Sequence, residues 1–128
     1  MTPARSGSCW ESSSVVPSEA HPGVEFVIFR MSFGRRLELM RRVRDLAARL
    51  EFFNAGRDAK NDMEASLLAG EIDRLYLLWG LQEIRGLELD GEPATAESLI
   101  ERGPEDLSNE ALAAIKSACG LNESERKN

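Results

Sequence analysis

The 128-residue chain is 42% hydrophobic and 30% charged, enough for one domain with a modest core. No uninterrupted apolar run approaches the ~20 residues that cross a bilayer, so no membrane association is expected. The net charge of −6 is uneven: residues 31–57 carry +4, with seven arginines against three acids, and residues 58–128 carry −9. Charges of opposite sign can neutralise one another within the molecule, which weakens a nucleic-acid reading.

Residues 1–23 are rich in Ser, Pro and Gly and show no apolar period, which predicts a disordered N-terminal tail. Removing residues 1–22 is expected to leave the fold intact, and Met31 stands as an alternative start. Val24–Phe29 is β-branched and aromatic, the composition of a strand.

A first helix is predicted from an N-cap at Ser32 to about Asn54, ended by Gly56 in the left-handed conformation. Leu39, Val43, Leu46, Leu50 and Phe53 step by four and three, the spacing of a seam that packs lengthwise on another helix. A second helix is predicted to begin at Asp58 or Asn61 and to run to Trp79 and Leu81. Its seam is Ala65, Leu68, Ile72, Leu75 and Trp79. Two such helices joined by a short loop make an antiparallel hairpin. Leu46 and Leu75 fall near its middle and are expected to be largely buried.

Arg85–Leu89 reads as a short strand turning at Asp90-Gly91 and able to pair with the earlier strand. Thr95 is set to cap a short helix through Glu101, and Gly103-Pro104 breaks it. Ser108 is placed to cap a last helix that carries Leu112, Ile115 and Cys119 on one face, with Gly120 just past its end. The expected fold is therefore mainly α. It has a long antiparallel helical hairpin, a small two-stranded β element and one or two short C-terminal helices. One domain is expected over residues 24–121, with a frayed C-terminus at 122–128.

Residue types suited to difficult chemistry are sparse. His21 is the sole histidine, in the expected tail, where general-base geometry could not be held. Cys9 and Cys119, with that histidine, match no zinc spacing and read as two reduced thiols of a cytoplasmic protein. No glycine pattern forms a phosphate loop. No catalytic, cofactor-binding or metal-ligating residue is assigned, and a binding protein is expected in place of an enzyme. Leu67, Leu78 and Leu81 widen the second helix beyond its seam. With Tyr76 and Trp79 they form the candidate partner-binding face. Arg41, Arg42, Arg44 and Arg49 lie off the seam of the first helix and support the alternative, a small DNA-binding regulator. Glu38 and Asp45, each four residues before an arginine, favour an ion-paired face over that alternative.

Trp79-Gly80-Leu81, Gly86-Leu87, Asp90-Gly91-Glu92-Pro93 and Thr95–Ile100 follow a long helix in sequence. With the opening Ser32–Leu39, this outline resembles small tail assembly chaperones of tailed phages and prophages, over about residues 24–121. The resemblance implies a non-enzymatic role in the host cytoplasm. The protein would coat the long apolar tape measure protein and help recruit tail tube subunits.

Overall fold

In the computed structural model, which describes residues 7–56 and 58–120, the chain is mainly helical. In chain order the elements are β1 (Ser13–Pro17), β2 (Glu25–Phe29), α1 (Phe33–Ala55), α2 (Ala59–Gly80), β3 (Leu81–Arg85), β4 (Glu88–Leu89), β5 (Glu92–Pro93), α3 (Ala96–Arg102) and α4 (Glu105–Ala118). The strands form an antiparallel sheet in the order β1-β2-β3 and a separate β4-β5 ribbon. The single two-stranded element expected from the sequence is thus corrected to a three-stranded sheet plus a ribbon. The expected frayed segment 122–128 lies outside the described residues.

The first correction falls on the expected tail. Ser13–Pro17 is a strand paired along its length with β2, from Ser13 opposite Phe29 to Pro17 opposite Glu25. Strand pairing satisfies backbone groups whatever the side chains are, so a Ser- and Pro-rich segment can join a sheet that its composition does not announce. The Ser18 N–H donates to the Val24 carbonyl at 2.8 Å, so the adjacent Pro17 faces the open edge. Proline has no N–H to offer there, which protects the edge from further strand addition.

The turn between β1 and β2 is held from a distance. The Ser18 hydroxyl donates to Glu110 Oε1 at 2.5 Å, and the Glu19 N–H donates to Oε2 at 2.6 Å. His21 Nε2 lies 3.0 Å from Asp106 Oδ2. The Ser18 bond first, and then the Glu19 N–H, hold the Glu110 carboxyl below its ordinary range, and the His21 bond does the same for Asp106. A carboxyl with a depressed folded pKa stabilises the fold above the ordinary carboxylate range and loses that contribution as pH falls through the folded pKa. Thermal melts from about pH 6 to about pH 3 should therefore show acid destabilisation. Glu110→Gln should melt lower at neutral pH and respond less to acid. An unchanged acid response in Glu110→Gln would refute the clamp.

Ser32 caps α1 as expected, with its Oγ accepting the Arg35 N–H at 3.2 Å. Gly56 departs from expectation: at φ −77, ψ 160 it is extended, not left-handed. Asp58 caps α2 through the Asn61 N–H at 2.8 Å. α2 stops at Gly80, and Leu81 opens β3 instead of ending the helix. The expected strand at 85–89 is accordingly split. Residues 81–85 pair with β2, Phe26 opposite Ile84, and the chain then turns at Gly86. Gly86 has φ +80, and a Cβ there would stand 2.1 Å from the Gly23 carbonyl oxygen, so both backbone conformation and space require glycine. Asp90 (φ 54) and Gly91 (φ 85) make the left-handed pair of a tight turn between β4 and β5.

Thr95 and Ser98 form a reciprocal capping box on α3. α4 begins at Glu105, one turn before the expected Ser108 cap, because Pro104 at φ −63 already presents a helix-compatible entry. Leu107, Ala111, Ile115 and Cys119 then face inward along α4. They meet Phe26 and Ile28 of β2, Leu99 of α3, and Tyr76, Leu77 and Trp79 at the end of α2 in one core.

Candidate interaction surface

The core sits at one end of the two long helices. α1 has 23 residues, yet Leu39 is its one buried side chain. In α2, four of the six buried residues, Tyr76, Leu77, Trp79 and Gly80, lie in the last turn and a half. Val43 on α1 and Ile72 on α2 still pack against the core. Beyond them the helices rest mainly on each other: Ala65 and Leu68 of α2 are buried there and Leu46, Leu50 and Phe53 of α1 are half-buried, while Leu75, nearer the base, is half-buried outside the core cluster. This corrects the expectation that Leu46 and Leu75 are largely buried. The physical reason is geometric. A helix with one neighbour covers one strip of its surface, whereas these apolar arcs are wider than a strip. Phe52, Met63 and Leu67 stand exposed on the same segment.

The five candidate partner residues separate sharply. Leu67 is 63% exposed and Leu78 is half-buried. Tyr76, Trp79 and Leu81 are 9%, 5% and 5% exposed, so their assignment to a surface is corrected: they are core residues. β3 folds back from Gly80 and, with α4, buries them, a long-range closure that helical periodicity does not report. Ala65 and Leu68 of the second seam are buried, whereas Leu46, Leu50, Phe53 and Leu75 of the two seams are half-buried. Their signal was present as the seam itself, read as interior because two helices were taken to be enough to cover it.

Arg35 sits between β2 and the end of α2. Its guanidinium carbon lies 4.1 Å from the centroid of the Phe29 ring and 4.3 Å from that of Trp79, a cation sandwiched by two aromatics. Its Nη2 donates to the Trp79 carbonyl. Burial first, then the nearby Arg42, pull the guanidinium below its ordinary pKa. Burial pushes the Cys119 thiol up, which keeps it protonated and poorly nucleophilic. Further along α1, Arg42 pairs with Glu38 at 3.0 Å as expected, but Arg41 also turns to Glu38 and Asp45 is taken by Arg44, each at 3.6 Å. Arg49 has no ion pair among the described residues.

Among the described residues no group of three or more His, Cys, Asp or Glu is placed to hold a metal ion. No helix among them is long and apolar enough to cross a membrane. A groove of about 360 Å³ runs between α2 and the α3–α4 corner, lined by Arg74, Leu77, Ile100 and Leu112 among others. Ion pairs rim it, Arg74 with Glu101 at 3.0 Å and Lys116 with Asp73 at 2.9 Å. No family model matches the chain, and neither a curated protein nor a solved structure does.

Proposed function

We propose that this protein is a non-enzymatic assembly chaperone of the tailed-phage or prophage type. In this reading α1 and α2 act as a long antiparallel hairpin whose distal face receives an amphipathic helical segment of a tape measure protein. The observation that carries it is the poor burial of α1: a 23-residue helix with one buried residue, beside exposed Phe52, Met63 and Leu67. A helix laid along the distal part of α1 and α2 would cover Leu67 and Met63 together with the half-buried Leu46, Leu50 and Phe53, the helix-in-groove mode of recognition. Tyr76, Trp79 and Leu81 then serve from inside, by fixing the base from which the hairpin projects. Acidic surface elsewhere keeps the complex soluble.

Co-expression tests this. A tape measure protein from the same genome should become soluble with the wild-type chain and co-purify with it. Leu67→Glu should abolish co-purification while leaving the melting temperature of the chain within a few degrees. A tape measure protein that stays insoluble and forms no complex would overturn the reading. Salt-dependent DNA binding, lost on Arg41→Ala with Arg49→Ala, would point to the regulator instead.

A further inference from the structure

Gly70 stands in the interior of α2, where glycine is destabilising relative to alanine. Nothing in the fold requires it: the residue is helical, and a Cβ placed there would meet no neighbouring atom within 4 Å. Helical spacing puts Gly70 on the opposite side of α2 from Leu68, which is buried where the two long helices meet. Gly70 therefore faces away from α1. It is also the distal end of the groove of about 360 Å³ between α2 and the α3–α4 corner, in which Leu77, Ile100 and Leu112 supply apolar lining. Met63 and Leu67 precede it on the same side of α2 and are 69% and 63% exposed. Met63, Leu67, Gly70 and Leu77 thus form one row that leads from open surface into the groove.

We infer that this row and the groove form a single track for a cationic amphipathic helix of a partner protein. The inference rests on the reading above that the distal part of α2 receives a helix, and it adds where that helix runs and what charge it carries. From Met63 to Leu77 the track is about 21 Å long, or roughly four helical turns. With no side chain at position 70, a bound helix can approach the backbone of α2 at the mouth of the groove. One of its apolar side chains then reaches Leu77, Ile100 and Leu112. Charge selects the sign of the partner. Residues 58–120, which supply every wall of the groove, hold five basic and fourteen acidic residues. Arg74 and Lys116 at the rim are already answered by Glu101 and Asp73. Asp62 beside Met63 and Glu105 in the groove lining have no ion pair among the described residues. The arginines of α1 lie across α2, on its other side. A helix with apolar anchors at i, i+3 or i+4, and i+7, flanked by Lys or Arg, complements this track, whereas an acidic helix is repelled.

A fluorescein-labelled 18-residue peptide, with leucines on one helical face and lysines on the other, is the probe. It should bind the full chain in anisotropy titrations, and a twin with glutamates for lysines should bind roughly tenfold more weakly or not at all. Gly70→Leu should keep the fold, because the added side chain enters open space, and should weaken the lysine peptide about tenfold or more. Gly70→Ala should raise the melting temperature of the free chain. Phe33→Ser, at an exposed position of α1, should leave binding unchanged. Lysine-peptide binding that survives Gly70→Leu, equal binding of the glutamate twin, or no binding would each overturn the proposal. So would a Gly70→Ala chain that melts lower, since the fold itself would then need the glycine. A dimer of the chain that Gly70→Leu dissociates would also overturn it, with a second copy filling the groove. The outcomes separate from those of the functional reading. A chain that solubilises the tape measure protein but ignores the lysine peptide overturns only the track. A chain that holds the peptide at Gly70 yet leaves the tape measure protein insoluble overturns only the chaperone reading.

Discussion

Phe26→Ala is expected to lower unfolding free energy by about 3–5 kcal/mol, the range for emptying a buried aromatic site. Phe26 is fully buried at the centre of the sheet, between Val16 of β1 and Ile84 of β3. Its ring joins the cluster that includes Leu99, Leu107 and Ile115, so the neighbours come from four separate elements and cannot all collapse into the gap. Against a total stability of roughly 5–15 kcal/mol for a domain, such a loss removes much of the margin. Urea unfolding followed by far-ultraviolet circular dichroism measures it. Leu46→Ala is the control. Half-buried and outside the core, Leu46 should cost about 1 kcal/mol, below the ~2–5 kcal/mol of a core leucine. Equal costs at the two positions would mean that Leu46 is as well buried as the core.

Deleting residues 1–22 should have the second large effect, the reverse of what the composition of that segment suggests. The deletion removes β1, its ladder to β2, the half-buried Val16 and the Ser18–Glu110 clamp. Net contributions of about 1 kcal/mol per intramolecular hydrogen bond, with partial loss of a valine, put the cost at roughly 3 kcal/mol or more. For a domain of this size that is a fall of about 10 °C or more in melting temperature. It would also expose the β2 edge, which lacks the proline that protects β1, so aggregation on heating should accompany it. A truncated chain that melts like the full one would refute a structural role for the segment.

The parts of the fold that were legible in the sequence are those set by local signals. Ser32, Asp58 and Thr95 cap helices because a side-chain oxygen meets a backbone N–H two or three residues on, and such pairs are visible in a short window. β2 announced itself by composition, and Asp90-Gly91 by turn chemistry. What escaped depends on contacts far apart in sequence. β1 is fixed by β2 and by Glu110, and Trp79 and Leu81 are buried by strands and helices that return over them. The same applies to the surface. Leu67 was recognised because it lies off the seam, whereas Leu46, Leu50, Phe53 and Leu75 look like core in a periodic pattern and are half-buried where two helices share them. A seam reports that a helix has an apolar neighbour, but not how many neighbours it lacks.

The central proposal is that the distal part of α1 and α2 is the surface on which a tape measure helix docks. A photo-crosslinking residue placed at position 67, and in a second protein at position 15, tests it most directly. Leu67 lies on α2 and Val15 on β1, and both are exposed in the free chain. In complex with the tape measure protein, position 67 should crosslink to it efficiently and position 15 should not. Crosslinking from position 15 with none from position 67 would contradict the account.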